Sequence, residues 1–440
     1  MPDDSSPQPA AAQRRVLGFW MCLALCVGNM IGSGVFLLPA TLAPYGAASL
    51  LGWGLTLGGA LMLALVYAWL ARSITSNGGA YAYVRQAHGD LPAFVVAWSY
   101  WICNWSGNAA LSVAFAGSVG AVWPEAVSTP ARAALCAMAA LWTCTAVNLA
   151  GLREAGRLQM VTTLLKLLPL VLFGLLGLAY VQGGNYVPFN PSGQPLLQVT
   201  TAVAALTLWA FLGLEAATVP SAAIRDPERN VPRATIIGML IAGGATILTC
   251  TVVLGLLPAD VLAKSGAPMA DAASRLWGGW AGVAVGVLAA VSVFGALNGW
   301  VLLQAQTPLS AARDGLFPRA FAALDARGTP WIGLLLSSGL ATALVAANYT
   351  RSLVGLFQYS ILLSTAAALL PYAMTAVAWW RLNPQAGLAP RLVAIGAFAY
   401  SLWALIGTGL ESLAWGGVLL LCGLPVYLLQ RGSIVATSRP

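Results

Sequence analysis

Long apolar runs, separated by short polar loops, follow one another along almost the whole chain. Each run is about 20 residues long, which is the length that an α-helix needs to cross the hydrocarbon core of a bilayer. About twelve such runs can be marked, at residues 17–40, 47–71, 91–120, 131–150, 158–181, 199–222, 234–257, 278–303, 331–348, 354–379, 392–409 and 412–430. The pattern predicts an all-α integral membrane protein with about 12 transmembrane helices.

Two of these spans contain residues that weaken a helix. The first contains "GNMIGSGVFLLPA" (28–40), in which Gly28, Gly32 and Gly34 fall close together. Gly28 and Gly32 form a GxxxG pair, which on its own is typical of close helix packing. Ser33 changes this interpretation, because Gly-Ser-Gly is a poor helix former. We therefore expect the helix to break at residues 32–34.

The sixth span contains "LWAFLGLEAATVP" (208–220), which combines Gly213, Glu215 and Pro220. Irregular backbone at membrane depth is tolerated only where it is buried in protein or lines a cavity. Spans one and six occupy corresponding positions if spans 1–5 and 6–10 form an inverted repeat, and paired interrupted spans mark the binding sites of transporters. The sequence thus predicts broken helices 1 and 6 with a binding site between them.

The chemistry of the first break suits an amino acid. A helix that restarts after Ser33 directs free N–H groups and its positive dipole end at an anion such as a carboxylate. The carbonyl groups of the unwound segment could hold an ammonium group. These are the two ends that α-amino acids share, so the pattern predicts amino-acid binding.

Two ionisable residues lie inside predicted spans. Glu215 is a functional candidate because a carboxylate in hydrocarbon is costly, and the alternative is a Glu that is hydrogen-bonded to a neighbouring helix. Lys166, in "TTLLKLLPL", either extends its amine towards water or, if buried, binds and releases a proton.

Aromatic and polar side chains cluster on several other spans. Many of the 17 Trp residues suit the interfacial belts of a membrane protein. Trp209 and Trp300 differ because they stand beside interrupted or polar positions, where an aromatic face could hold a cation. The cluster also includes Tyr100, Trp101, Asn104 and Asn108 in the third span and Tyr372 in the tenth.

The distribution of charge predicts the topology. The net charge of +8 could indicate a nucleic-acid partner. With the N-terminus inside, however, sixteen Lys and Arg residues lie on predicted inner segments and four on outer ones, Arg132, Lys264, Arg275 and Arg351. This bias follows the positive-inside rule. We expect a multi-pass protein of the cell inner (plasma) membrane with cytoplasmic termini, partnered by lipid and not by nucleic acid.

Other classes of protein fit the sequence less well. The seven Cys residues form no CxxC pair, and the single His88 lies in a basic loop, so we expect neither a disulfide, a metal nor another cofactor. HExxH, GxSxG and ATP-binding GxxxxGK[ST] motifs do not occur, which disfavours an enzyme and a primary pump. A channel lined by Gly-broken helices remains an alternative to a secondary transporter.

Several motifs resemble those of a known family. They are "GSG" in the first span, "GGAYAY" (78–83), "YWICNWSGN" (100–108), "LWAFLGLEAA" (208–217), "RNVPRAT" (229–235), "GWVLLQAQT" (299–307), "DGLFP" (314–318) and "LLPYAMT" (369–375). In order and spacing, over almost the whole chain, they are similar to the bacterial arginine/agmatine antiporters of the amino acid/polyamine/organocation superfamily. The resemblance implies a leucine-transporter-like fold with a 5+5 inverted repeat.

The resemblance also implies roles for individual residues. Ser33 and Gly34 would bind the substrate carboxylate, while carbonyl groups near Met30, Trp209 and Leu212 would bind its α-amine. Trp300 would stack on the guanidinium, with Asn108 and Ser364 hydrogen-bonded near it. Trp209 would form a middle gate, Tyr100, Glu215 and Tyr372 an inner gate, and Tyr81 would be linked to the pH response, as Lys166 and Glu215 could be through proton binding.

The resemblance further implies an organisation of the chain. A disordered cytoplasmic tail at 1–15 would precede a transport core at 16–380, formed by helices 1–10. Helices 11–12 at 381–430 would be a candidate interface of a homodimer, followed by a cytoplasmic tail at 431–440. The implied task is acid resistance, in which arginine enters and agmatine leaves.

Some positions depart from the family pattern. Asn104, Leu111 and Ala210 stand where the antiporters have Cys, Met and Ser, near the predicted substrate side chain or gate. Lys166 replaces a small apolar residue, and proton-coupled permeases of the same superfamily have a Lys at this point. A symporter or exchanger of other neutral or cationic amino acids, with Lys166 as its proton site, is therefore the alternative function.

Overall fold

A computed structural model describes residues 18–437 apart from 77, 220, 222 and 223, and it describes only the backbone at 152–160, 164 and 431–437. In this part of the chain the backbone forms helices and no β-strand. The α-helices are α1 Phe19–Met30, α2 Gly34–Leu42, α3 Ser49–Ser73, α4 Ala80–His88, α5 Asp90–Val122, α6 Pro130–Ala150, α7 Leu152–Gly177, α8 Leu196–Leu208, α9 Pro227–Leu256, α10 Ala259–Leu262, α11 Pro268–Trp277, α12 Gly279–Arg313, α13 Trp331–Ala347, α14 Leu353–Leu382, α15 Leu388–Gly407, α16 Gly409–Leu421 and α17 Gly423–Thr437.

The helices have the length and composition of a multi-pass membrane protein, which confirms the predicted all-α class. Within the described residues, eight helical stretches are long and apolar enough to cross a bilayer. One of them, Phe19–Ser73, includes two of the predicted spans, and Leu196–Phe211 and Trp331–Ala347 are shorter apolar helices. The count of twelve and the inverted repeat therefore stay predictions.

The first helix breaks where the sequence predicts. α1 ends at Met30, and Ile31 leaves the helical region with φ −80° and ψ 87°. α2 then begins at Gly34, after Ser33 as its N-terminal cap residue. The amide of Gly32 turns back to the carbonyl oxygen of Met30 (3.0 Å) and not to that of Gly28, so the ladder of helical hydrogen bonds is interrupted here.

The second break lies within the segment at 208–220 that the sequence marks as irregular. The hydrophobic run at 199–222 continues, but α8 ends at Leu208 and gives way to 3-10 turns at Trp209–Phe211 and Ala216–Thr218. Between these turns Leu212 is extended and Gly213 has a φ of +104°, which favours glycine. A positive φ cannot continue a right-handed helix, so the chain leaves the helical path at this glycine.

The two breaks pack against each other inside the helical bundle. α5 packs against α12 and α14, while α1 contacts α7, α9 and α12. A Cβ atom added at Gly213 would lie 3.0 Å from the Cβ of Asn29, at the end of α1. The close contact between the two irregular segments therefore depends on a residue without a side chain.

Residues 1–17 and 438–440, at the two ends of the chain, lie outside the described residues. The predicted tail at 1–15 lies outside the described residues. At the other end α17 continues to Thr437, beyond residue 430 where the hydrophobic pattern ends the last span. Leu410, Leu428 and Leu429, on α16 and α17, are exposed.

Candidate functional site

The first break leaves carbonyl groups at the end of α1 without partners from their own helix, and Lys166 supplies donors for two of them. Lys166 lies on α7 and is buried. Its Nζ donates to the carbonyl oxygens of Gly28 (2.5 Å) and Ile31 (2.6 Å). The side-chain amine of Lys166 thus lies directly beside the broken segment.

Trp300 of α12 pairs with a third carbonyl. Its indole Nε1 donates to the carbonyl oxygen of Asn29 at 3.1 Å. Together with the bond from Gly32 to Met30, this gives a partner to every carbonyl group from Gly28 to Ile31. The carbonyl groups of the break are therefore all hydrogen-bonded, three of them to a Lys and a Trp from two other helices.

The N-terminus of α2 opens towards this region. The first hydrogen bonds of α2 run from Phe36 and Leu37 to the carbonyl oxygen of Ser33. The N–H groups of Gly34 and Val35 precede these bonds and point out of the helix end, where the helix dipole favours a negative charge. Trp209 lies over this end, since its Nε1 donates to Ser33 Oγ at 3.0 Å.

Close contacts bring α5, the second break and α14 to the same place. A Cβ atom at Gly107 of α5 would lie 3.2 Å from the ring of Trp209 and 3.0 Å from Ser364 Oγ on α14. A Cβ atom at Gly32 would lie 3.1 Å from Leu111. Small residues thus allow five segments, α5, α12, α14 and the two breaks, to meet around one site.

Two buried amides on α5 present unpaired acceptors. Asn104 and Asn108 are one helical turn apart and fully buried. Asn104 Nδ2 donates to Thr307 Oγ1 (3.4 Å), and Asn108 Nδ2 donates to Gln304 Oε1 (2.7 Å). The Oδ1 atoms of both Asn residues are buried and have no hydrogen-bond partner among the described atoms. A group with N–H donors would satisfy them.

Glu215 is held by two tyrosines from different helices. Tyr100 of α5 donates to its Oε1 (2.8 Å), and Tyr372 of α14 donates to its Oε2 (2.7 Å). The backbone N–H of Gly213 also donates to Oε2 (3.2 Å). Among the described side chains, Glu215 and Lys166 are the only buried charged ones. The three residues predicted as an inner gate therefore form one contact.

Tyr81 lies on α4, a short helix that precedes the long helix α5. Its hydroxyl donates to Asp314 Oδ2 (2.8 Å), which also pairs with Arg85 (2.9 Å). Burial raises the pKa of the Tyr81 hydroxyl above its ordinary value, and the bond to Asp314 raises it further. Tyr81 therefore stays protonated at neutral pH and joins α4 to the end of α12.

The remaining predicted site residues lie near the breaks, and some of their polar atoms already form hydrogen bonds within the protein. The carbonyl oxygen of Trp209 accepts from the N–H of Leu212 (3.3 Å), and that of Met30 accepts from Gly32. Ser364 donates its hydroxyl to the carbonyl oxygen of Cys103 (2.8 Å). Each of these oxygens has a second lone pair, so each can still accept a bond from a ligand. Ala210 adjoins Gly34.

Sequence reasoning missed three residues of this arrangement. Gln304 binds Asn108, Asn29 accepts from Trp300, and Asp314 binds Tyr81. Gln304 could have been found from its spacing, because it follows Trp300 by four residues and therefore shares its helix face. Asn29 and Asp314 act through long-range contacts that leave no local pattern.

A buried polar site where two interrupted helices meet, within a multi-pass membrane protein, defines the class of secondary transporters. Comparison with known families agrees, since the family model described as "Amino acid permease" matches residues 17–426. The chain belongs to this family.

Individual relatives carry related names. The chain is 34% identical to the cadaverine/lysine antiporter of Escherichia coli (strain K12), over 75% of this chain and 74% of that protein. It is 32% identical to a putative arginine/ornithine antiporter of Bacillus subtilis (strain 168), over 94% and 97% of the two chains. It is 28% identical to a putrescine transporter of Haemophilus influenzae, over 95% and 97%. The comparisons support amino acid or amine exchange and point to a transporter, not an enzyme.

Proposed function

We propose that this protein is a secondary antiporter that exchanges cationic amino acids for cationic amines or other cationic amino acids. The observation that carries the proposal is that Gly34, at the N-terminus of α2, and Gly107, between Asn104 and Asn108 on α5, both adjoin Trp209. The side-chain oxygens of the two Asn residues are buried without a partner among the described atoms. The helix end suits a carboxylate, and the amide oxygens suit a group that only donates hydrogen bonds. The names of the relatives support the same substrate class.

Each part of the substrate has a partner in this proposal. The carboxylate binds the N–H groups that follow Ser33, including that of Gly34. The α-amine binds carbonyl oxygens of the two breaks, near Met30, Trp209 and Leu212. The distal cation lies against the face of Trp300 and the oxygens of Asn104 and Asn108. The remaining predicted contacts are Leu111 and Ser364.

Two groups of residues act as gates in the proposal. Trp209, which contacts Ser33, closes over the substrate as a middle gate. The contact of Tyr100, Glu215 and Tyr372 joins α5, the second break and α14, so it opens only if these segments separate. The hydrogen bond from Tyr81 to Asp314 adds a further contact between α4 and the end of α12, which must break if these two helices separate.

Arginine against agmatine is the substrate pair that the resemblance implies, and lysine against cadaverine is the pair named for one relative. Exchange of an amino acid for its decarboxylated amine exports one proton equivalent per cycle, because decarboxylation consumes a proton. We propose acid resistance as the corresponding task. We also propose an inner-membrane homodimer with cytoplasmic termini, in which the exposed leucines of α16 and α17 contribute to the interface.

The ammonium group of Lys166 favours a second candidate function. It binds two carbonyl oxygens at the first break, where a coupling cation would lie in a cation-driven transporter. Proton release from Lys166 would weaken its hydrogen bonds to these carbonyl groups, because they would no longer be charge-assisted, and would couple the break to the proton gradient. In this alternative the protein is a proton-coupled symporter of neutral or cationic amino acids.

Exchange in proteoliposomes tests the proposal. The purified protein is reconstituted, the vesicles are loaded with arginine, agmatine, lysine, cadaverine, ornithine, putrescine or leucine, and uptake of labelled arginine and lysine is followed. We expect uptake only into vesicles that contain a cationic substrate, without a pH gradient. Protein-free vesicles are the control.

The alternatives predict different results in the same assay. Uptake into empty vesicles that requires a pH gradient would contradict exchange and support symport through Lys166. Flux far above carrier rates, without stimulation by internal substrate, would indicate a channel.

A further inference from the structure

Gln304 of α12 links the candidate site to a chain of buried side chains. It is fully buried and lies one helical turn after Trp300. Its Oε1 accepts from Asn108 Nδ2 at 2.7 Å, and its Nε2 donates to Ser338 Oγ on α13 at 2.8 Å. Both ends of the Gln304 amide are therefore engaged, one towards the site and one away from it.

The hydrogen bonds along this series of side chains run in one direction, which the bonds of Thr145 at its far end determine. Ser338 Oγ lies 2.7 Å from Thr145 Oγ1 on α6, and Thr145 donates its hydroxyl proton to the carbonyl oxygen of Leu141 at 2.8 Å. A hydroxyl group has one proton, so Ser338 must donate to Thr145. The oxygen of Ser338 then accepts from the NH2 group of Gln304, which leaves the Gln304 oxygen to accept from Asn108.

This direction decides which atom of the Asn108 amide is left without a partner. The NH2 group of Asn108 is bound to Gln304, so its carbonyl oxygen is the polar atom that remains, and this oxygen is buried without a partner among the described atoms. The side-chain oxygen of Asn104, one turn away, is also buried without a partner among the described atoms. A buried acceptor left unpaired is costly, so a ligand that supplies donors gains by binding here.

We propose that Gln304 is a positioning residue that, through Asn108, makes the site select substrates whose distal group only donates hydrogen bonds. Guanidinium and ammonium groups meet this condition, whereas a urea or amide group also brings an oxygen that would face the oxygen of Asn108. The inference rests on the proposed function and deepens it by naming what distinguishes cationic from neutral polar substrates.

Arginine and citrulline form a matched pair of probes, because citrulline has a urea oxygen in place of one guanidinium nitrogen. Their dissociation constants are measured by calorimetry on the purified full-length protein in wild type, Gln304→Leu, Asn108→Leu and the double variant. Without Gln304 the amide of Asn108 can turn and donate to the urea oxygen. We expect the preference for arginine over citrulline to fall about tenfold in Gln304→Leu, through weaker arginine and equal or tighter citrulline binding.

The double variant and a remote variant separate positioning from general structural support. If Gln304 acts through Asn108, the double variant should have the preference of Asn108→Leu alone. Thr145→Val removes the acceptor of Ser338, so the Ser338 hydroxyl can donate to Gln304 and reverse the direction of the hydrogen bonds. We expect the preference for arginine over citrulline to fall in this variant as well. Thr342→Val is the control, because the Thr342 hydroxyl donates to the backbone of Ser338 at 2.7 Å, outside the chain.

The outcomes are distinct. Equal loss of arginine and citrulline affinity in Gln304→Leu, or additive effects in the double variant, would overturn the proposal. If Gln304→Leu does not fold, an unchanged preference in Thr145→Val would overturn it. Failure of the wild type to bind any cationic amino acid would instead contradict the proposed function itself.

Discussion

At the scale of single residues, the end of α1 depends on donors that come from distant helices. Lys166 and Trp300 bind three carbonyl oxygens of the break, at 2.5 to 3.1 Å. The glycines around Ser33 predicted from sequence that the helix would break. The partners of the freed carbonyl groups could not be predicted, because residues 28 and 166 are brought together only by the packing of α1 against α7.

Replacement of Lys166 by methionine should separate its structural role from a role in proton coupling. Lys166→Met keeps much of the side-chain volume and leaves the carbonyl oxygens of Gly28 and Ile31 unpaired, which costs about 1–3 kcal/mol for each group. We expect a lower midpoint of thermal unfolding in detergent, measured by the loss of the monodisperse protein on size-exclusion chromatography.

The pH dependence of exchange by Lys166→Met tests whether Lys166 takes part in proton coupling. For an antiporter that is not coupled to protons, the pH profile should keep its shape in Lys166→Met. A profile that becomes flat would show that Lys166 is a proton site and would favour the symport alternative. Unchanged thermal stability would contradict the assigned hydrogen bonds.

At the scale of helices, the second break shows what the sequence pattern can and cannot predict. "LWAFLGLEAATVP" indicated an irregular segment, and Gly213 is indeed where the backbone turns to a φ of +104°. The exact bounds of the break were not predictable from the apolar run at 199–222, because most residues between 209 and 218 are apolar. Their non-helical backbone is stabilised by contacts with Asn29, Tyr100 and Tyr372, which lie on other helices.

Replacement of Gly213 by alanine tests this account of the second break. An L-residue at this φ is strained by about 1–3 kcal/mol, and its Cβ would lie 3.0 Å from the Cβ of Asn29. We expect Gly213→Ala to lower both the thermal midpoint and the rate of exchange. Gly244→Ala is the matched control, since Gly244 lies within α9 with open space around its Cα.

The control should keep or slightly raise stability, because alanine is the better helix former. Full exchange activity in Gly213→Ala would contradict the proposed importance of the break. Equal losses in both variants would show only that the protein tolerates no added methyl groups.

At the scale of the whole molecule, the sequence predicted the class of the fold and the two places where helices break. The apolar runs were sufficient for the all-α membrane class, and the interrupted motifs indicated the segments at which the helical backbone stops. Gln304 and its chain through Ser338 and Thr145 were not foreseen, because each of these residues reads as an ordinary polar residue in an apolar helix. They come into contact only through the packing of α6, α12 and α13 in the folded bundle.

The proposed substrate site has two chemically different ends. One end is the start of α2 after Ser33, and the other is formed by Trp300 with the oxygens of Asn104 and Asn108. A substrate that fills the site must therefore touch both the first break and α5. Lysine has both matching groups, norleucine lacks only the distal ammonium, and cadaverine lacks only the carboxylate.

Calorimetric titration of the wild-type protein with these three ligands tests the claim directly. Loss of the distal cation removes a cation–aromatic contact and leaves buried oxygens unpaired, which together correspond to about 2 kcal/mol or more. We therefore expect norleucine to bind at least about tenfold more weakly than lysine, and cadaverine to compete with lysine for one site. Norleucine that binds as tightly as lysine, or cadaverine that does not compete, would contradict the account.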